Sequence, residues 1–90
     1  MIHLTGTLTC ATQDDAALVT RLLPEHMRLT LAEPGCLSFT VLPMNDGLTW
    51  AVDETFADGL AFDAHQARTV ASDWGRATAH VLRSYQIVEG

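Results

Sequence analysis

The stretch AFDAHQARTVASDW, residues 61–74, holds His65, Arg68 and Trp74, the side chains best suited to chemistry in this chain. An imidazole titrates near neutral pH, so His65 is fit to take a proton from a weakly acidic group and to return it. Arg68 follows three residues later, about 60° round a helix, and offers a cation for negative charge that develops during such a step. Trp50, Phe56, Phe62 and Trp74 supply flat apolar walls for a ring. Glu54 lies on the preceding strand among Trp50, Val52 and Phe56, where a half-buried carboxylate needs a partner or takes a raised pKa. Two partners suit it: His65, which it would orient, and Arg83 on the last strand, the slightly favoured choice. His26, two residues after Pro24, is a second and weaker candidate, placed where a bent helix opens toward a cavity. The four histidines (His3, His26, His65 and His80) form no HExxH, no i/i+4 pair and no cluster with cysteine, so no metal site is expected. Nor is there a GxGxxG, a phosphate-binding loop or a GxSxG, which leaves no cofactor implied by motif.

Two faces of the helix carrying His65 compete for the interior. Leu60, Ala64, Ala67 and Ala71 form one stripe; Phe62, His65 and Thr69 form the other. With the alanines inward, His65 is a surface or structural residue. With Phe62 inward, it points into a pocket. Periodicity does not choose between them, and the plainer reading packs the helix through its alanines.

Around this helix the order of elements is legible. Residues 2–10 alternate Ile2, Leu4, Leu8 and Cys10 with threonines, the period of a half-buried strand. Thr12 with Asp14 and Asp15 opens a helix over about 14–32, with Leu18, Leu22 and Leu29 on its stripe and Leu23 and Met27 beside it. Pro24 inside it predicts a bend or short break. Glu33-Pro34-Gly35 punctuates its end. A strand over 36–43 buries Leu37, Phe39 and Val41; Asn45-Asp46-Gly47 makes a hairpin turn; a strand over 48–56 follows. Helical residues about 58–67 and 69–79 and a strand over 82–89 complete β-α-β-β-α-β. This is the α+β, ferredoxin-like order, an antiparallel sheet with two helices on one face.

Ninety residues make one domain, spanning 1–90. A core this small cannot hide a 48% hydrophobic composition, so a second copy of the chain is the expected cover, as a homodimer. Eleven acidic against five basic residues, all five of them scattered arginines, set the charge at −6 and argue against nucleic acid and anionic membrane surfaces as partners. No run is long enough to span a bilayer, and the start has no signal-peptide pattern, so a cytoplasmic location is expected. Cys10 and Cys36 lack CxxC spacing and are expected to be buried free thiols.

Three segments together, PEHMRLTLAEPGCLSFTV (24–41), LTWAVDETFAD (48–58) and AFDAHQARTVASDWGRATAHVLRSYQI (61–87), resemble the antibiotic biosynthesis monooxygenase superfamily. The resemblance implies a dimeric α+β barrel with a pocket between sheet and helices in each subunit. It implies oxygenation of a quinol or phenolic aromatic by O2 without metal or flavin, with His65 as base and Glu54 and Trp74 in the pocket. Arg68 would meet the negative charge, and Trp50, Phe62 and His26 would contact substrate. Some relatives degrade haem with a pocket asparagine, but the sole asparagine here is Asn45, in the turn, so that activity ranks lowest. A non-catalytic barrel that binds a small aromatic metabolite is the other alternative.

Overall fold

The computed structural model describes residues Met1–Gly90 and runs β1 (Ile2–Thr9), α1 (Gln13–Leu31), β2 (Cys36–Pro43), β3 (Thr49–Phe56), α2 (Gly59–Ala71), α3 (Asp73–Ala77), β4 (Leu82–Glu89). The strands form one antiparallel sheet in the order β2-β3-β1-β4. This is the ferredoxin-like α+β arrangement. The second helical region is split into α2 and α3 by Ser72, whose side chain caps α3 by accepting from the Gly75 amide.

Alternation in the strands translates directly into burial. Leu4, Leu8 and Cys10 from β1 and its end, and Trp50, Val52, Glu54 and Phe56 from β3, are buried on the helix-covered face. On β2 the pattern slips. The register shifts between Cys36 and Ser38, so Leu37 is the extra residue of a β-bulge and is exposed, while Phe39 and Val41 stay inside. The Asn45–Gly47 turn forms as expected. The Asp46 carboxylate accepts from the amides of Leu48 and Thr49 at 2.9 and 2.8 Å, and Gly47 takes a left-handed φ of 74°.

Helix α1 differs from expectation in two ways. It passes through Pro24 without a break, because Pro24 faces water, which can serve the carbonyl that proline leaves without a donor. Its buried row is Ala16, Val19, Leu23, His26 and Thr30, with Leu18, Leu22 and Leu29 only half-buried beside it. The row facing the sheet therefore ends in two polar residues.

Cys10 is buried and Cys36 half-buried, both as free thiols. The sheet face without helices exposes Leu42, Leu82 and Val88, and β4 lies open along most of its length. No helix is long and apolar enough to cross a membrane.

Candidate functional site

The choice between the two faces of α2 is settled by burial. Leu60 is 82% exposed and Ala64, Ala67 and Ala71 face solvent, whereas His65 is the one buried residue of the helix, 3% exposed. The alanine-packing expectation is therefore corrected. Phe56 of β3 meets the ring-bearing face of the helix, packing against both Phe62 and His65.

His65 is held between two carboxylates. Its Nδ1 lies 2.8 Å from Glu33 Oε1, and its Nε2 lies 3.6 Å from Glu54 Oε1. The first is a hydrogen bond in which Nδ1–H donates; the second is a close approach beyond hydrogen-bonding range. Thr69 Oγ1 is 3.5 Å from Nε2, and the Phe56 ring sits 4.8 Å from the imidazole, centre to centre. Burial pulls the His65 pKa down; the Glu33 carboxylate opposes this and Arg68 adds to it.

Glu33 reaches this position because of the loop after α1. Gly35 has φ 88°, and a Cβ there would stand 2.6 Å from that of Ala61, so only glycine lets the loop lie against α2. Arg68 donates to Glu33 Oε2 from Nε at 2.5 Å and to Thr30 Oγ1 from Nη2 at 2.9 Å. Arg68 thus faces the end of α1 and is absent from the cavity wall, which corrects its assignment as the substrate-facing cation. The same helical spacing that puts Arg68 near His65 aims both at one carboxylate.

Glu54 is 6% exposed and its Oε1 has no hydrogen-bond partner. Burial first, then the nearby Glu33 and Asp53 carboxylates, push its pKa up from 4.5 to about 7. The expected Glu54–Arg83 pair does not form: Arg83 donates instead to Thr78 and Val81 carbonyls and to Thr78 Oγ1. Two residues of sequence separate Arg83 from Tyr85 and two more from Ile87, which is in the row of Glu54 across β1, so the guanidinium caps the nearer loop.

These groups border a cavity of about 550 Å³, walled by Phe39, Trp74, Val41 and Val52 and reached past the exposed Val70 and Tyr85. His26 also borders it. Its ring stacks on Trp74 at 4.8 Å and 8°, lies 6.0 Å from the His65 ring and is only 5% exposed. Burial, followed by repulsion from Arg68, His65 and Arg83, lowers its pKa to about 3, so it is neutral at working pH. Its Nδ1 has no partner. Trp74 is held in place because Gly75 passes tightly under α2, where a Cβ would strike the Thr69 carbonyl.

Three of the four expected ring walls lie elsewhere, Phe56 being fully buried against the His65 ring and off the cavity lining. Trp50 borders a separate hollow beneath α1 with Leu23, Pro24 and Met27, near the opposite end of its strand from Glu54. Phe62 is behind the site, packed edge-on against Phe56 at 5.6 Å. Glu33 was read from the sequence as helix punctuation. Only its proximity to Gly35, the position that allows close approach to α2, hinted at more. Tyr85 and Gln66 also border the cavity and carried no sequence signal. No group of three or more His, Cys, Asp or Glu side chains is arranged to hold a metal ion.

The fold and this buried acid–imidazole cluster define a small sheet-and-helix protein with a half-open, aromatic-lined site. The sequence profile of the antibiotic biosynthesis monooxygenase family matches residues 1–77, so the chain belongs to that family. Among solved structures, a candidate antibiotic biosynthesis monooxygenase from Deinococcus radiodurans superposes with TM-score 0.76 at 21% identity, covering 100% of this chain and 92% of that one. Rv0793 from Mycobacterium tuberculosis gives 0.76 at 20% identity, with coverage of 100% and 95%. SnoaB, a cofactor-independent oxygenase from Streptomyces nogalater, gives 0.76 at 13% identity, with coverage of 99% and 91%. At these identities the likeness concerns the fold. The comparison with curated proteins returned no match.

Proposed function

We propose that this protein oxidises a quinol or phenolic aromatic with O2 and without a cofactor, using His65 and Glu54 to handle protons. The observation that supports this best is the buried Glu33–His65–Glu54 row opening on an aromatic-walled cavity of about 550 Å³, room enough for a bicyclic substrate. Membership of a monooxygenase family and the SnoaB-like fold add support.

In this reading the ring lies against Trp74 and Phe39. His65, its Nδ1–H fixed on Glu33, accepts the phenolic proton at Nε2, directly or through Glu54. The phenolate gives electrons to O2 and a carbon–oxygen bond forms at a hydrogen-bearing ring carbon ortho or para to the oxygen. The resulting peroxide takes the stored proton. Loss of the ring C–H proton then breaks the O–O bond and expels water, leaving a quinone carbonyl. One oxygen atom enters the product and the other becomes water. The apolar walls formed by Phe39, Val41, Val52 and Trp74 keep water from the inner face of the peroxide. His26, neutral and on the cavity wall, offers a ring N–H to a substrate oxygen. The protein acts as a homodimer, for which the exposed Leu42, Leu82 and Val88 on the uncovered sheet face speak.

An oxygen electrode with reduced naphthoquinones and polycyclic phenols tests the proposal. Uptake is expected, falling by about 10²-fold or more in His65→Ala. Uptake no greater than a buffer blank across the panel overturns it. The alternative, a barrel that only binds an aromatic metabolite, is favoured by the ring lining of the cavity, Phe39, Trp74 and Tyr85. It predicts a thermal shift with a ligand recovered unchanged.

A further inference from the structure

The protonation of the cluster can be counted. Glu33 is neutralised by Arg68 and takes the Nδ1–H of His65. That leaves His65 Nε2 and Glu54 Oε1 facing each other at 3.6 Å, both buried. Burial works against the charged form of each, so at neutral pH Glu54 is divided between acid and carboxylate beside a neutral imidazole. Such a pair accepts a proton or releases one with little separation of charge.

His26 borders the same cavity, its ring 6.0 Å from that of His65. It is buried, stacked on Trp74 and neutral. A neutral imidazole donates a hydrogen bond to a developing oxyanion without surrendering its own proton to it. A carboxyl that titrates near neutrality in one cavity with such an imidazole is an arrangement suited to removing a proton beside a carbonyl. None of this requires oxygen.

We propose that the cavity carries a second, oxygen-independent activity: keto–enol isomerisation of a small aromatic or conjugated ketone, with Glu54 moving the proton and His26 holding the carbonyl oxygen. The Glu54 carboxylate takes a proton from the carbon next to the carbonyl. The C–H electron pair becomes the C=C bond of the enolate, and the carbonyl π pair moves to oxygen, where His26 N–H donates to it. Glu54 then returns the proton to that oxygen, giving the enol, or to a more distant carbon of a conjugated ketone, shifting the double bond. No electrons enter or leave. His65 positions the Glu54 carboxyl and buffers its proton.

The test uses the intact protein under nitrogen in D2O, with 2-tetralone as probe and deuterium entry at the carbon beside its carbonyl followed by NMR. Exchange faster than in buffer with equal acetate and imidazole is expected, falling by about 10²-fold in Glu54→Gln. His26→Phe should lower it by about tenfold or more, with the urea midpoint of each variant measured to show that it is folded. Exchange no faster than the buffer control overturns the proposal, as does wild-type exchange in a folded Glu54→Gln variant. Oxygen uptake in air is read separately. Its absence would sink the oxygenase reading while leaving this one standing, and exchange that fails while uptake succeeds would do the reverse.

Discussion

Replacing Glu54 by glutamine should make the protein more stable in mild alkali. The Glu54 carboxyl has its pKa raised from 4.5 to about 7 by burial and by the neighbouring carboxylates of Glu33 and Asp53. A carboxyl that binds its proton more tightly when folded favours the native state at low pH. That advantage is lost as the pH climbs from about 4.5 through about 7, and above this the fold carries a buried charge. The interval corresponds to about 3 kcal/mol, a large share of the roughly 5–10 kcal/mol that holds a small domain together. Glutamine keeps the shape of the protonated acid and cannot ionise. Urea unfolding should therefore give nearly equal stabilities for the two proteins at about pH 5 and a variant more stable by about 2–3 kcal/mol at about pH 8. In thermal melts this is about 10–15 °C for a domain of this size. The histidine contributions are common to both proteins and largely drop out of the difference. A gap that does not change with pH, or a variant weaker than wild type at about pH 8, would refute the reasoning, because it would mean that Glu54 is ionised and satisfied in the fold.

Two further outcomes follow from the same geometry. His26 has its pKa lowered to about 3 chiefly by burial, so its contribution is intact above about 6.5 and is lost as the pH falls toward about 3; His26→Phe should flatten that acid limb, read as urea midpoints at about pH 4 and 7. Glu33→Gln removes the charge that receives both the His65 Nδ1–H and the Arg68 guanidinium, so a loss of about 2–3 kcal/mol is expected, discounted because Arg68 is partly exposed. With a turned-over substrate, the same variant should lower kcat more than it raises KM, and an unchanged kcat would deny Glu33 a positioning role.

The order of elements was written in the chain because each strand advertises its period. Ile2 to Cys10 and Trp50 to Phe56 alternate cleanly, and Asn45-Asp46-Gly47 admits little besides a turn. His65, Glu54, Trp74 and His26 were also recognisable as site candidates, since ring and ionisable side chains in apolar surroundings are conspicuous. The sequence did not determine which way each one faces. Alanines at helical spacing suit a buried seam as well as a water-washed one, so α2 could be oriented only once the sheet beneath it was in place. Arg68 went to a carboxylate 35 residues back along the chain, Arg83 to the loop just before it in place of Glu54, and Trp50 to a separate hollow. Glu33, 32 residues from His65 along the chain, joined the site only because a tight glycine turn laid the end of α1 against α2. Periodicity is local and survives in one dimension. The partner of a charged side chain depends on distances through space, which exist only after the layers have packed.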